Sequence, residues 1–211
     1  MSRQVEDRPR TRRSAGNTVA LALPPDVRLF VSAQGFERLC RSNPELRLER
    51  TERGVLEAMP PTSGGTGARN ARLTARLVVW SLDDGTGTAF DSSTAFTLPN
   101  RAIRSPDASW IRNERWDALT IVQKDVGFAS ICPDFVVELR SQSDRKKKLR
   151  LKMREYIGQG ARLGWLIDPI RGTVDIYRPG RSVERPVKPA TLSGEDVLPG
   201  FIMDLKGILF D

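Results

Sequence analysis

Apolar positions recur along this chain with two different periods, and each switch between them marks an element. Ser32 precedes "AQGFERLC", where Phe36, Leu39 and Cys40 share one face at helical spacing. That pattern predicts a short capped helix, stopped by Asn43-Pro44. "ELRLERTERGVLEAM" alternates at Leu46 and Leu48 and again at Val55 and Ala58, with Gly54 between, and predicts a β-hairpin. Beyond "PPTSGGTGARN", Leu73, Leu77 and Trp80 fall at i, i+4 and i+7 and predict a helix from Asn70 to Leu82. "GTAFDSST" and "TAFTLP" predict a strand pair, and "SPDASWIR" a strand launched by Pro106. A short helix from Glu114 to Leu119 and an exposed loop to Ser130 follow. "PDFVVELRS" is a buried strand, and the helix after it runs from Ser143 or Asp144 to Ile157, ended by Gly158 and Gly160. "RLGWLIDP" and "TVDIYRP" make a hairpin around Arg171-Gly172, and "VLPGFIMDLKGILF" a final short strand and hydrophobic anchor. Trp110, Trp165 and Tyr177 sit in strand patterns and are expected in the core.

This order of elements describes one α/β (α+β) domain with a central mixed sheet, over residues 25–211. Residues 1–24 are polar, charged and patternless, and are expected to be a disordered basic tail. The longest early apolar run, Val19 to Leu23, is stopped by Pro24-Pro25. It is too short for a signal-peptide core or a membrane span, so a cytoplasmic location with no membrane partner is expected. Gly64, Gly65 and Gly67 do not follow a strand and lack a phosphate-binding lysine, so a flexible connector is expected there.

Composition narrows the chemistry. The chain has no histidine and two cysteines. Histidine-based triads and zinc sites of the His or Cys/His type are therefore excluded, and Cys40 and Cys132 are expected to be buried thiols. Acid–base or metal chemistry must use Asp, Glu, Lys, Arg or Tyr, which favours oxygen-ligated Mg²⁺ or Mn²⁺. A net charge of +8 favours a polyanionic partner such as nucleic acid, although "RPRTRR" in the tail carries part of that excess.

Four charged residues break the pattern around them. Asp107 starts an apolar strand, Glu138 lies between Val137 and Leu139, Glu49 sits in the hairpin arm "RLER", and Lys152 lies on the following helix. On that helix Leu149, Met153, Tyr156 and Ile157 define the apolar face; Lys152 falls roughly 60° from Leu149, at its margin, where it could reach toward Glu138. Two carboxylates on neighbouring strands with an ammonium beside them suit divalent-metal phosphodiester hydrolysis. Asp107 and Glu138 are the expected metal ligands. Asp134 shares a strand face with Glu138 but lies about 13 Å from it, too far for one metal, and is expected to make backbone hydrogen bonds. Asp168 and Asp175 look like turn and strand-end residues. In the charge run "RKKKLRLK", Lys146 and Lys148 are candidate contacts to a DNA backbone.

"LERTERGVLEAMPPT", "SPDASWI", "CPDFVVELRSQSD", "KMREYIGQGARLGWLIDP" and "VDIYRPG" together resemble, in order and spacing, a bacterial family of restriction-endonuclease-like proteins long classed as a domain of unknown function. The resemblance extends over about residues 26–210. It implies the PD-(D/E)xK nuclease fold, a mixed sheet flanked by helices, and a Mg²⁺-dependent endonuclease acting on DNA. By position, Asp107 resembles the first acidic residue of that motif and Glu138 the second. Lys152 resembles the motif lysine moved onto the next helix, and Glu49 a further acid from the hairpin. Arg140 stands where many such nucleases carry lysine; its guanidinium cannot act as a base near neutral pH and is expected at most to bind phosphate or transition-state charge, which leaves proton handling to Lys152 or a metal-bound water. The substitution keeps open an alternative, a nuclease-fold domain that binds nucleic acid in a regulatory role. A homodimer is left open as well. A glycosidase built on the carboxylate pair lacks evident aromatic sugar platforms.

Overall fold

The protein's structure is a computed structural model, and it describes Pro24 and residues 27–210. The tail expected over residues 1–24 therefore lies, apart from Pro24, outside the described residues. Helix α1 (Ala33–Ser42) begins where Ser32 accepts the Gly35 N–H at 3.1 Å, and it buries Phe36. Strands β1 (Arg47–Arg50) and β2 (Leu56–Met59) form the expected antiparallel hairpin. Gly54 enters it at φ +85°, a conformation that a side chain would strain. Helix α2 (Gly64–Asp84) starts well before the apolar periodicity does. Its glycines form the first turn behind the cap at Ser63, so the expected connector is a helix start: the cap supplies what the local propensity lacks. Leu73 and Leu77 are buried, with Trp80 packed alongside.

Strands β3 (Gly87–Asp91), β4 (Phe96–Thr97), β5 (Ile103–Arg104) and β6 (Ala108–Arg112) follow. The expected pairing of β3 with β4 does not form. Asp91 accepts from Ser93 and Thr94 in a turn that sends the chain into another sheet, so β3 pairs with β6 and β4 with β5. Helix α3 (Asn113–Asp117) matches expectation, whereas α4 (Ile121–Asp125) lies inside the predicted loop. A capping box between Thr120 and Gln123 holds α4, and its Ile121 and Val122 are exposed, so no apolar stripe announced it. The remaining elements are β7 (Phe135–Leu139), α5 (Lys146–Gly158), β8 (Leu163–Asp168), β9 (Thr173–Tyr177), β10 (Thr191–Ser193) and β11 (Ile202–Asp204).

The central sheet runs β3-β6-β7-β8-β9, with β7 and β8 parallel and the other pairs antiparallel. Parallel neighbours need a crossover, and α5 supplies it. Strand β7 is buried throughout, and its pleat divides two cores. Phe135, Val137 and Leu139 face one core, with Trp110, Trp165, α2 and the C-terminal anchor of Phe201, Met203 and Leu205. Val136 faces the other, against Leu149, Met153 and Tyr156 of α5. Glu138 shares the face of Val136, so its carboxylate rises beneath α5. A second sheet, β2-β1-β5-β4, brings the N-terminal hairpin to the same side. No described helix is long and apolar enough to cross a membrane.

Candidate active site

The register between β6 and β7 sets the first pair of carboxylates. Ala108 lies opposite Val137, and the Asp107 N–H donates to the Val137 carbonyl at 3.0 Å. Asp107 Oδ2 in turn accepts the Leu139 N–H at 2.8 Å. A side-chain oxygen thus replaces the next rung of the ladder and pins Asp107 on one strand level with Glu138 on the next. Glu138 is almost fully buried. From α5, Lys152 Nζ reaches 2.7 Å from Glu138 Oε1 and 2.7 Å from Glu49 Oε1, and donates to the Ser105 carbonyl at 3.3 Å. The structure therefore gathers Glu49, Asp107, Glu138 and Lys152 around one cleft of about 660 Å³.

Sequence reasoning missed the groups that hold these four. Arg104, buried on β5, contacts Glu49 at 3.1 Å and Glu57 at 2.6 Å through Nη1, and Glu155 at 2.7 Å through Nε. The N–H of Ser105 donates to Glu49 Oε1 at 2.9 Å. Tyr156 donates its hydroxyl to Glu138 Oε1 at 3.2 Å. Tyr156 was within reach, since it follows Lys152 by four residues on one helix face. Arg104 was not: its short strand has no usable period, and its partners come from remote segments.

Burial and mutual repulsion set the electrostatics. Burial pushes the Glu138 carboxyl up to about 8 against the pull of Lys152, and the negative charges of Asp107 and Glu49 add to the rise. Asp107 is raised by burial too, despite the Leu139 N–H, Lys152 and Arg47, whose guanidinium stands 3.9 Å away. For Glu49 burial is outweighed by Lys152 and Arg104, and its carboxyl is lowered. Lys152 is raised, because Glu138 and Glu49 overcome its own burial. Its ammonium therefore stays protonated and is unsuited to serve as a base.

Around this cluster the other candidates divide. Lys148 stands at the cleft rim, largely exposed, 3.1 Å from Glu57. Arg140 and Lys146 have a different partner from the phosphate expected for them. Arg140 Nη1 meets both oxygens of Asp168 at 3.2 and 3.1 Å, and Lys146 Nζ meets Oδ2 at 2.8 Å. Asp134 behaves as expected of a residue that starts a strand: it accepts the Arg112 N–H at 3.0 Å and faces Arg115 at 2.8 Å. Asp175, read as a strand-end residue, lies mid-strand in β9 and is fully buried between Arg150 and Arg185.

The donor set fits a hard divalent cation. No group of three or more His, Cys, Asp or Glu suited to a metal occurs among the described residues. Mg²⁺, however, takes one or two carboxylates and completes its shell with water and substrate oxygens. Among the described residues, both contacts to Glu138 fall on Oε1, and Asp107 Oδ1 faces Arg47 alone at 3.9 Å. Glu138 Oε2 and Asp107 Oδ1 are thus the oxygens available to a cation.

Residues 33–206 match the Uma2 family, described as "Putative restriction endonuclease". The chain belongs to the Uma2 family. That match spans the cleft and the elements that build it, in keeping with the resemblance read from the motifs. A solved structure of a "putative nuclease belonging to DUF820" from Anabaena variabilis superimposes with a TM-score of 0.70 at 21% identity, over 85% of this chain and 97% of the other. The fold of this Uma2 protein is thus nuclease-like, a single mixed α+β domain with sheets flanked by helices. A comparison with the curated proteins gives no match.

Proposed function

We propose that this Uma2 protein is a divalent-metal-dependent endonuclease that hydrolyses DNA phosphodiester bonds in the cytoplasm. The observation that carries this reading is the placement of Asp107, just before β6 and bonded to the backbone of Val137 and Leu139, beside Glu138 of β7 in the lining of one cleft, with Lys152 bonded to Glu138. Asp107 and Glu138 would hold Mg²⁺ or Mn²⁺, which when bound supplies Lewis acidity and an activated water. The protein's own residues do the rest. Lys152 keeps its proton and places a fixed positive charge where a phosphate approaches, worth most in a site shielded from water. Glu49 is its positioning partner: with the Ser105 carbonyl it holds the ammonium toward Glu138. Tyr156 fixes Glu138 Oε1 and leaves Oε2 without a bond among the described residues. Arg140, bound to Asp168, takes no part in the proton chemistry.

One observation favours a second reading. The Lys152 ammonium already bridges Glu138 and Glu49, so the domain could bind nucleic acid in a regulatory role without a metal and without cleavage. A plasmid-nicking assay in Mg²⁺ and in Mn²⁺ separates the two. The nuclease reading expects nicking by the wild-type protein and its loss in Glu138→Ala, with the circular dichroism spectrum unchanged. Binding without nicking in either metal would establish the regulatory reading instead.

A further inference from the structure

A second groove, of about 530 Å³, lies between the β1–β2 hairpin and the first turns of α5. Arg145 and Lys148 line both this groove and the cleft, so the two adjoin at these side chains. Arg28 and Lys147 add further exposed cations to its wall. The groove's acid, Glu57, is already held by Arg104 at 2.6 Å and Lys148 at 3.1 Å. Arg28, Arg145 and Lys147 have no side-chain hydrogen bond or ion pair among the described residues.

The placement of these cations is costly to the free protein. Helix N-termini carry partial positive charge and favour acids in the first turn. Here Arg145 occupies the cap without a side-chain hydrogen bond, Lys146, Lys147 and Lys148 follow it, and the first turn holds no acid. Asp144 stands just before, but its Oδ2 turns back to the Ser141 N–H and hydroxyl. Lys146 is compensated by Asp168 and Lys148 by Glu57, while Arg145 and Lys147 are not. A local rule broken without internal compensation points to an external anion. From Arg145 to Leu151 the groove follows α5 for about 9 Å, two to three nucleotide steps at about 3.4 Å each.

We propose that this groove binds the phosphodiester backbone of the nucleic-acid strand as it leaves the cleft, over two to three nucleotides to one side of the reacting bond. The assignment rests on the nuclease reading of the adjoining cleft. Arg145 and Lys147 make the dominant contacts, with Arg28 facing them across the groove.

The test measures binding separately from cleavage. Anisotropy of a fluorescein-labelled oligonucleotide is followed against salt in EDTA, with Glu138→Ala as the parent protein. Arg145→Ala with Lys147→Ala should lower the log–log salt slope by about 1.4 to 1.8 and weaken binding on the order of tenfold or more at 0.1 M salt. Arg181→Ala, an exposed cation that lines neither groove, should leave both unchanged. The double variant should melt no lower than its parent, because it removes charge that opposes the helix end. An unchanged slope in that folded double variant overturns the groove. If the wild-type protein still nicks plasmid, the cleft reading survives that result. A parent protein that binds no oligonucleotide also overturns the groove, and absence of wild-type nicking would then remove the nuclease reading with it.

Discussion

Two buried charge clusters sit on the central sheet, and they are built in opposite ways. At the end of β7, the carboxylates of Glu49, Glu57, Asp107, Glu138 and Glu155 outnumber the cations that meet them, Lys152, Arg104, Lys148 and Arg47. On β8 and β9 the balance is reversed: Asp168 is clamped by Arg140 and Lys146, and Asp175 by Arg150 and Arg185. The pKa directions follow. Glu138 and Asp107 rise, because burial and neighbouring negative charge are not fully answered. Asp168 and Asp175 are also buried, yet both are lowered: for Asp168 the Lys146 and Arg140 bonds outweigh burial, and for Asp175 the Arg185 and Arg150 bonds do. A cluster whose charges are answered is a structural clamp. One left with surplus negative charge at a cleft is suited to receive a cation.

The comparison breaks most readily at Arg104. Arg104→Met leaves Glu49, Glu57 and Glu155 without their shared cation, and should destabilise the fold by about 3–5 kcal/mol in denaturant melts. Arg104→Lys should recover only part of that, since an ammonium lacks the planar fork that meets three carboxylates. Wild-type stability in the Met variant would mean that the cluster does not depend on its hub.

Asp168→Asn probes the answered cluster. It should cost about 1–3 kcal/mol, because two charge-assisted contacts lose their acceptor charge, while plasmid nicking per folded molecule stays at the wild-type rate. A loss of nicking comparable to that of Glu138→Ala would erase the distinction between the clusters.

The same clamp should shape the acid limb of stability. Because the folded state holds Asp168 and Asp175 below the ordinary carboxylate value, the unfolded chain binds more protons there. Stability from these clamps is present above about pH 4 and is lost as pH falls through the folded values. Melting temperatures measured down to about pH 2 should fall less steeply in the Asp168→Asn, Asp175→Asn double variant than in the wild-type protein. The smallest effect is expected at Lys148, whose bond to Glu57 is largely solvated. Lys148→Ala should change stability by no more than about 1 kcal/mol in the same melts.

How much of this could be read in advance varies from residue to residue. Glu138 was legible because a carboxylate inside an apolar run contradicts its surroundings, and Lys152 because it sits at the margin of a helix stripe. Tyr156 shares that stripe and carries the same signal. The strand carrying Asp107 was legible, but its neighbours were only partly so: β3 and β4 look like a hairpin, and a turn at Asp91 separates them. Arg140 shows the limit plainly. Its partner, Asp168, lies at the end of the neighbouring parallel strand, and nothing in "ELRSQSD" says that the two will meet.

By itself, the amino-acid order determined most of the elements, the mixed sheet, the absence of histidine chemistry and the four charged residues out of place. Those features depend on period, composition and spacing, which are local. Only the tertiary structure decided which charges are answered. Arg104 meets Glu49, Glu57 and Glu155 across separations of 55, 47 and 51 residues. Charges in a low-dielectric interior act through space rather than along the chain. The same cation can therefore be a phosphate contact or half of a clamp, and its sequence neighbours do not reveal which.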